Sequence, residues 1–141
     1  MAGDGRSHAV SQTEIAQHLS GERHILIAVT PEGRIFGTVT LARRHDDAEM
    51  ADGDRRGSLE ALEVDPDRRR QGWGRRLCMA VTKLASSLGL TELTVAVEPE
   101  NAAALALYAA AGYAPFKMSM WRWREREHPV VCMRMSLAPP G

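Results

Sequence analysis

The segment Val64-Asp65-Pro66-Asp67-Arg68-Arg69-Arg70-Gln71-Gly72-Trp73-Gly74 constrains this chain more than any other. An apolar run ending at Val64 meets a proline stop, and two glycines one residue apart then open an amphipathic stretch. Glycine lets successive backbone N–H groups turn toward one point, and a helix starting there aims its positive dipole end at the same place. The N–H groups of Gln71, Gly72, Trp73, Gly74 and Arg75, with Arg69 and Arg70 beside them, therefore suit an anion of the diphosphate kind. Two other phosphate loops are excluded by the letters. A nucleotide P-loop needs a Gly-Lys pair, which the chain lacks, and a dinucleotide fingerprint needs a third glycine where Leu77 stands.

Around this segment the pattern alternates strand and helix. Ser11 to Leu19 reads as a short helix capped by Ser11, with Glu14 three residues on. Ile25–Val29 and Arg34–Leu41 are strand-like, and Thr30-Pro31-Glu32-Gly33 between them is turn chemistry, which predicts a hairpin. A polar loop over 43–57 leads to a strand at Leu59–Val64. Trp73–Leu88 is a helix with Leu77, Val81, Leu84 and Leu88 in one stripe and Gly89 as its exit. Leu93–Val97 is the next strand, so the strand, helix, strand unit predicts a right-handed crossover between parallel neighbours. Tyr113–Trp123 and Val130–Leu137 close the chain as two strands joined through Arg124 to Pro129.

A second motif follows that unit. Asn101 to Tyr113 reads N-A-A-A-L-A-L-Y-A-A-A-G-Y, a capped helix with a glycine exit and an aromatic after it. Leu62-x-Val64-x-Pro66, Arg69-x-x-Gly72-x-Gly74, then Asn101-x-x-Ala104-x-x-Leu107-Tyr108-x-x-x-Gly112-Tyr113 together resemble the GNAT superfamily of acyl-CoA-dependent N-acyltransferases. The match runs from about Glu60 to Phe116. The resemblance implies an α/β fold: a mixed, mostly antiparallel sheet with a central parallel βαβ pair and helices on both faces. It also implies acetyl-CoA as co-substrate, an N-acetyltransferase reaction, and a small-molecule or protein amine as acceptor. The acyl donor and the acceptor class stay open, as does a sensor that binds acyl-CoA without turnover.

By resemblance, the pantetheine arm lies along the strand ending at Val64, meeting backbone at Leu62 and Val64 as an added strand would. The strand bearing Leu62 bulges in the family, which would free a backbone N–H between Leu62 and Val64, Glu63 included, to polarise the thioester carbonyl. Asn101 and Tyr108, seven residues apart, face one side of their helix, about 10 Å apart along its axis. Asn101 caps the helix or holds the arm. Tyr108 takes the family's acid role, its phenol of pKa ~10 staying protonated where a thiol of pKa ~8.5 departs. Glu60, Glu63 and Glu98 are the carboxylates nearest the gap. Glu60 shares a face with Leu62 and Val64 in a regular strand and is the preferred base, acting through water.

Trp121-Arg122-Trp123-Arg124 sits where the family's closing hairpin borders the acceptor pocket, with Glu125 and Glu127 nearby to attract a cationic amine. His24, His45 and His128 share no spacing with a nucleophile and read as surface or hairpin residues. Fewer residues precede the first clear strand than in the family, where a strand and two helices stand. That shortened N-terminus leaves room for a homodimer to complete the acceptor side.

Composition sets the remaining bounds. At 141 residues, with 44% hydrophobic and 26% charged residues, the chain is a single domain over 1–141, with 1–10 and 138–141 expected to be disordered. Zero formal net charge gives no bulk attraction to nucleic acid or membrane. Arg68 to Arg70 with Arg75 and Arg76 are expected to form a local basic patch. Cys78 and Cys132 lie far apart without metal-ligand spacing, which predicts buried free thiols and no metal. No apolar run approaches a membrane span and no signal-peptide core opens the chain, so a cytoplasmic protein is expected.

Overall fold

The computed structural model describes residues 10–16, by their backbone, and 23–137 with their side chains. Within them run β1 (Val10–Ala16), β2 (Arg23–Val29), β3 (Ile35–Ala42), β4 (Arg56–Val64), α1 (Trp73–Ser87), β5 (Glu92–Val97), α2 (Ala102–Ala111), β6 (Ala114–Trp123) and β7 (Arg126–Ser136). One seven-stranded sheet holds all strands in the order β1-β2-β3-β4-β5-β7-β6. Neighbours are antiparallel except β4 and β5, which pair in parallel through Arg56↔Glu92 to Leu59↔Val95. This is the mixed, mostly antiparallel sheet with its central parallel pair that the sequence predicts.

The hairpin between β2 and β3 closes as its residues dictate. Gly33 adopts a φ of +94° and donates its N–H to Thr30 O at 2.8 Å, and the Thr30 hydroxyl accepts from Arg34 N at 3.0 Å. The final hairpin turns in two residues, Arg124 and Glu125, both at positive φ (54° and 61°), so Arg126 to Pro129 belong to β7 instead of the connection expected there. No glycine marks this turn, which is why its letters read as a longer loop.

The N-terminus departs from expectation. Val10–Ala16 is a strand paired antiparallel with β2, where the sequence predicts a helix over 11–19. Val10, Thr13 and Ile15 are β-branched and favour an extended chain, and the free edge of β2 supplies backbone partners that a short isolated helix lacks. A strand therefore does precede Ile25. Residues 1–9, 17–22 and 138–141 lie outside the described residues, and with them the termini expected to be disordered; Val10 opens β1.

One main core forms on one face of the sheet. Leu26 and Ala28 of β2, Val39 and Leu41 of β3, Leu59 of β4, Leu93, Val95 and Val97 of β5 and Met133 of β7 meet Trp73, Leu77, Cys78, Val81 and Ala85 of α1 and Tyr108 of α2. Gly37 lets α1 approach closely, since a Cβ there would stand 3.2 Å from Leu77 Cδ1 and 3.3 Å from Glu63 O. Both described helices join this cluster. The expected placement of helices on both faces is thus met on one face only.

The opposite face carries the loop 43–55. Met50 is fully buried there with Val130 and Cys132, and Thr94 Oγ1 donates to Met50 O at 2.7 Å. Lys117 Nζ ties the loop down through Asp47 Oδ2 (2.6 Å) and Glu49 Oε1 (2.7 Å). Cys78 and Cys132 are free and buried, as expected.

Candidate active site

Two features of β4 make the site. First, Thr38 pairs with Glu63 and Thr40 with Glu60, so Ala61 and Leu62 together oppose Val39. Ala61 takes a φ of +54°, and the strand bulges there. Second, pairing with β5 ends at Leu59↔Val95 although both strands continue. The strands splay, and the β4 edge beyond Leu59 has no strand partner on that side.

The bulge also resets which side chains share a face. Val64 stands opposite Gly37 on the helix face, whereas Glu63 and Glu60 stand opposite Thr38 and Thr40 on the loop face. This corrects the regular-strand expectation that Glu60 accompanies Leu62 and Val64. Glu60 and Glu63 are instead companions.

Below the bulge, the loop from Asp65 to Gly72 leads into α1. Asp65 N donates to Phe36 O (2.8 Å), Arg69 Nε to Val64 O (3.2 Å) and Gln71 Nε2 to Asp67 O (3.4 Å). Gly72 is the N-cap at φ +83° and offers no side-chain cap; no acid stands in the first turn. The first intrahelical bond runs from Arg76 N to Gly72 O, so the N–H groups of Trp73, Gly74 and Arg75 have no acceptor within the helix. A helix start with bare donors and no acid is suited to a bound anion.

A cavity of about 820 Å³ opens over this helix start. Of the residues predicted to bind cofactor, Leu62, Glu63, Val64, Arg69, Arg70, Gly72, Trp73 and Gly74 line it, and Arg68 joins them. Gln71 and Arg75 are exposed beside it. The Trp73 ring turns into the core, edge-on to Phe36 at 4.9 Å, leaving only its backbone for a ligand. Arg68 lies over the Phe36 ring at 4.5 Å, a contact invisible in the sequence because the partners are far apart along it.

A second cavity, about 900 Å³, fills the gap between β4 and β5. Glu60, Leu62, Glu63, Glu98, Asn101, Ala104, Tyr108, Trp121 and Trp123 line it. Leu62, Glu63 and Ala104 line both cavities, so the two meet beside the bulge. The arrangement suits a long ligand anchored by an anion at α1 with its far end in the gap.

Within the gap, Tyr108 is buried and edge-on to Tyr113 at 5.5 Å. Burial pushes its phenol well above the ordinary value, with Cys78 adding to the shift, so it holds its proton throughout the neutral range. Burial likewise pushes the Cys78 thiol up to about 11, which makes it an unreactive core residue. Asn101 uses its side-chain oxygen to cap α2, accepting from Ala104 N at 3.1 Å.

The carboxylates have partners the sequence does not show. Arg23 Nη1 reaches Glu60 Oε1 at 2.6 Å, and His128 Nδ1 lies 3.4 Å from Glu98 Oε2. His45 packs against Trp121 and His128, on the closing hairpin, stacks on Trp123, so both histidines lie against indoles that line the pocket.

A family model described as "Acetyltransferase (GNAT) family" matches residues 4–113. The chain belongs to the GNAT acetyltransferase family. It is an acyl-CoA-dependent N-acetyltransferase, the reaction of that family being acyl transfer from acyl-CoA to an amine. Aminoglycoside N(6')-acetyltransferase type 1 of Klebsiella aerogenes is 36% identical over 106 residues, covering 72% of this chain and 69% of that protein. The [ribosomal protein bS18]-alanine N-acetyltransferase of Escherichia coli K12 is 31% identical over 110 residues, covering 77% and 68%. The crystal structure of the ribosomal-protein-S18-alanine N-acetyltransferase from Escherichia coli superposes with a TM-score of 0.68 at 21% identity, over 87% of this chain and 74% of that one. A nourseothricin acetyltransferase matches at a TM-score of 0.69 and 23% identity over 84% and 67%, a likeness of fold. In this GNAT protein no group of three or more His, Cys, Asp or Glu fit to hold a metal occurs among the described residues, and none of their helices is long and apolar enough to cross a membrane.

Proposed function

We propose that this chain moves an acetyl group from acetyl-CoA to a primary amine by direct attack within a ternary complex. The observation that carries the reading is the meeting of two cavities at Leu62, Glu63 and Ala104, one over the bare N–H groups of α1 and one in the β4–β5 gap. The diphosphate rests on the backbone N–H groups of Gln71 to Arg75, with Arg69 and Arg70 adding charge. The pantetheine arm runs along the unpartnered edge of β4 past Val64 and Leu62, as an added strand.

The thioester then lies at the bulge, where a backbone N–H between Leu62 and Val64 polarises its carbonyl. The amine nitrogen attacks the carbonyl carbon, the C–S bond breaks, and the sulfur leaves as thiolate. The Tyr108 phenol gives that thiolate its proton. Desolvation that raises the phenol raises the basicity of a thiolate in the same gap, which keeps the transfer near balance. The proton lost by the amine passes through water to Glu60 or to its companion Glu63.

Continuous thiol release with acetyl-CoA and a panel of primary amines tests the reading. Turnover that needs both substrates, with intersecting initial-rate patterns, is expected. Parallel patterns, or acetyl accumulating on the enzyme without amine, would rule out direct attack.

A further inference from the structure

Glu98 follows the last residue of β5, and Trp121 and Trp123 stand two residues apart on β6. All three line the cavity in the β4–β5 gap. Each indole is backed by a histidine, His45 at 5.0 Å from Trp121 and His128 at 3.7 Å from Trp123 with ring planes 6° apart. His128 also lies beside the carboxylate: its Nδ1 is 3.4 Å from Glu98 Oε2, while its Nε2 is 3.3 Å from Trp123 O. One imidazole therefore lies against both a carboxylate and an indole that line the cavity.

A carboxylate beside electron-rich ring faces is suited to an ammonium. The charge of the cavity agrees, since among the described residues its lining includes Glu60, Glu63 and Glu98 and no Lys or Arg; Arg23 reaches Glu60 from outside that lining. Pairing of β4 with β5 ends at Leu59↔Val95, so Glu60, one residue past Leu59, and Glu98, three residues past Val95, stand on separate strands across the gap. A reacting amine in the gap thus leaves the Glu98 position free for a second charge.

We propose that Glu98, Trp121 and Trp123 form a second ammonium subsite, and that the acceptor is a small di- or polyamine. One amine reacts at the bulge while another rests between Glu98 and the indoles, with His128 positioning both. The proposal rests on the acetyl-transfer reading above. A cavity of about 900 Å³ has room for both groups of such a ligand. A protein N-terminus brings one terminal ammonium and leaves the subsite empty.

Thiol release with acetyl-CoA is compared for cadaverine, for pentylamine of the same length, and for a peptide beginning with alanine. Cadaverine is expected to exceed pentylamine in kcat/KM by ~10-fold or more, and the peptide by at least as much. Glu98→Gln and Trp123→Leu should each reduce the cadaverine-to-pentylamine ratio ~10-fold, through KM. Two variants are used so that one decides should the other fail to fold, as judged by thermal unfolding. Equal use of the two amines, preference for the peptide, no acetylation of any of them, or a ratio unmoved in the folded variants would overturn the subsite. Calorimetry separates the two readings: a wild type that binds no acetyl-CoA sinks the transferase reading and the subsite with it, whereas acetyl-CoA bound with equal use of both amines sinks the subsite alone.

Discussion

Tyr108 and Ala61 show how unevenly a sequence reports its own site. Tyr108 is announced by its place in a motif, seven residues after a capping asparagine and four before a glycine exit. Ala61 is announced by nothing, because alanine has no preference for the positive φ that the bulge gives it. Its conformation follows from a pairing with β3 that only the folded sheet defines, and that pairing decides that Glu63 accompanies Glu60. The partners Arg23 and His128 were equally hidden, standing far from Glu60 and Glu98 along the chain. At this scale, Tyr108→Phe should lower kcat by roughly 100-fold while leaving acetyl-CoA affinity within a few-fold, since the proposed role of the phenol is to protonate the departing thiolate. Stopped-flow thiol release with parallel calorimetry measures both, and an unchanged kcat would remove Tyr108 from the proton path.

At the scale of elements, the helices were legible and the first strand was not. The stripe of Leu77, Val81 and Leu84 with the exit at Gly89 marks α1, and Asn101 and Gly112 bracket α2. Residues 11–14 imitate a capping box, but their β-branched neighbours and the waiting edge of β2 outweigh it. Two stability predictions belong here. Leu77→Ala, fully buried between α1 and β3, should cost about 2–5 kcal/mol. Asn101→Ala should cost about 1 kcal/mol by leaving Ala104 N without its cap acceptor. Denaturant unfolding at equilibrium measures both, and a larger loss at Asn101 than at Leu77 would contradict the division between cap and core.

For the whole molecule, the sheet joins three devices that lie far apart in sequence. The glycine loop with its bare N–H groups precedes α1, the gap opens where β4 and β5 part, and Trp121 and Trp123 of the last hairpin line that gap. Loop 43–55 covers the face that no described helix occupies, held by Lys117 on Asp47 and Glu49. The Lys117 ammonium beside Asp47 holds its carboxyl below the ordinary value of 3.8, against the opposing effect of burial. A carboxyl depressed in the folded state stabilises the fold above its unfolded value and loses that contribution as pH falls through the folded one. Wild type should therefore unfold at a higher temperature than Lys117→Met near about pH 6, with the difference vanishing toward about pH 2. A difference that persists in acid would show that the strap works by packing instead of charge.

The central claim is that the start of α1 anchors the diphosphate of acetyl-CoA. Isothermal titration of the wild type and of Gly72→Glu with acetyl-CoA tests it most directly, because a Cβ at Gly72 meets nothing within 4 Å and the added carboxylate would project from the helix start. Glutamate at a φ of +83° carries about 1 kcal/mol of backbone strain, so thermal unfolding is recorded for both proteins. Saturable binding by the wild type, lost in a variant that still folds, is the predicted result. Equal binding by both, or none by the wild type, would contradict the account.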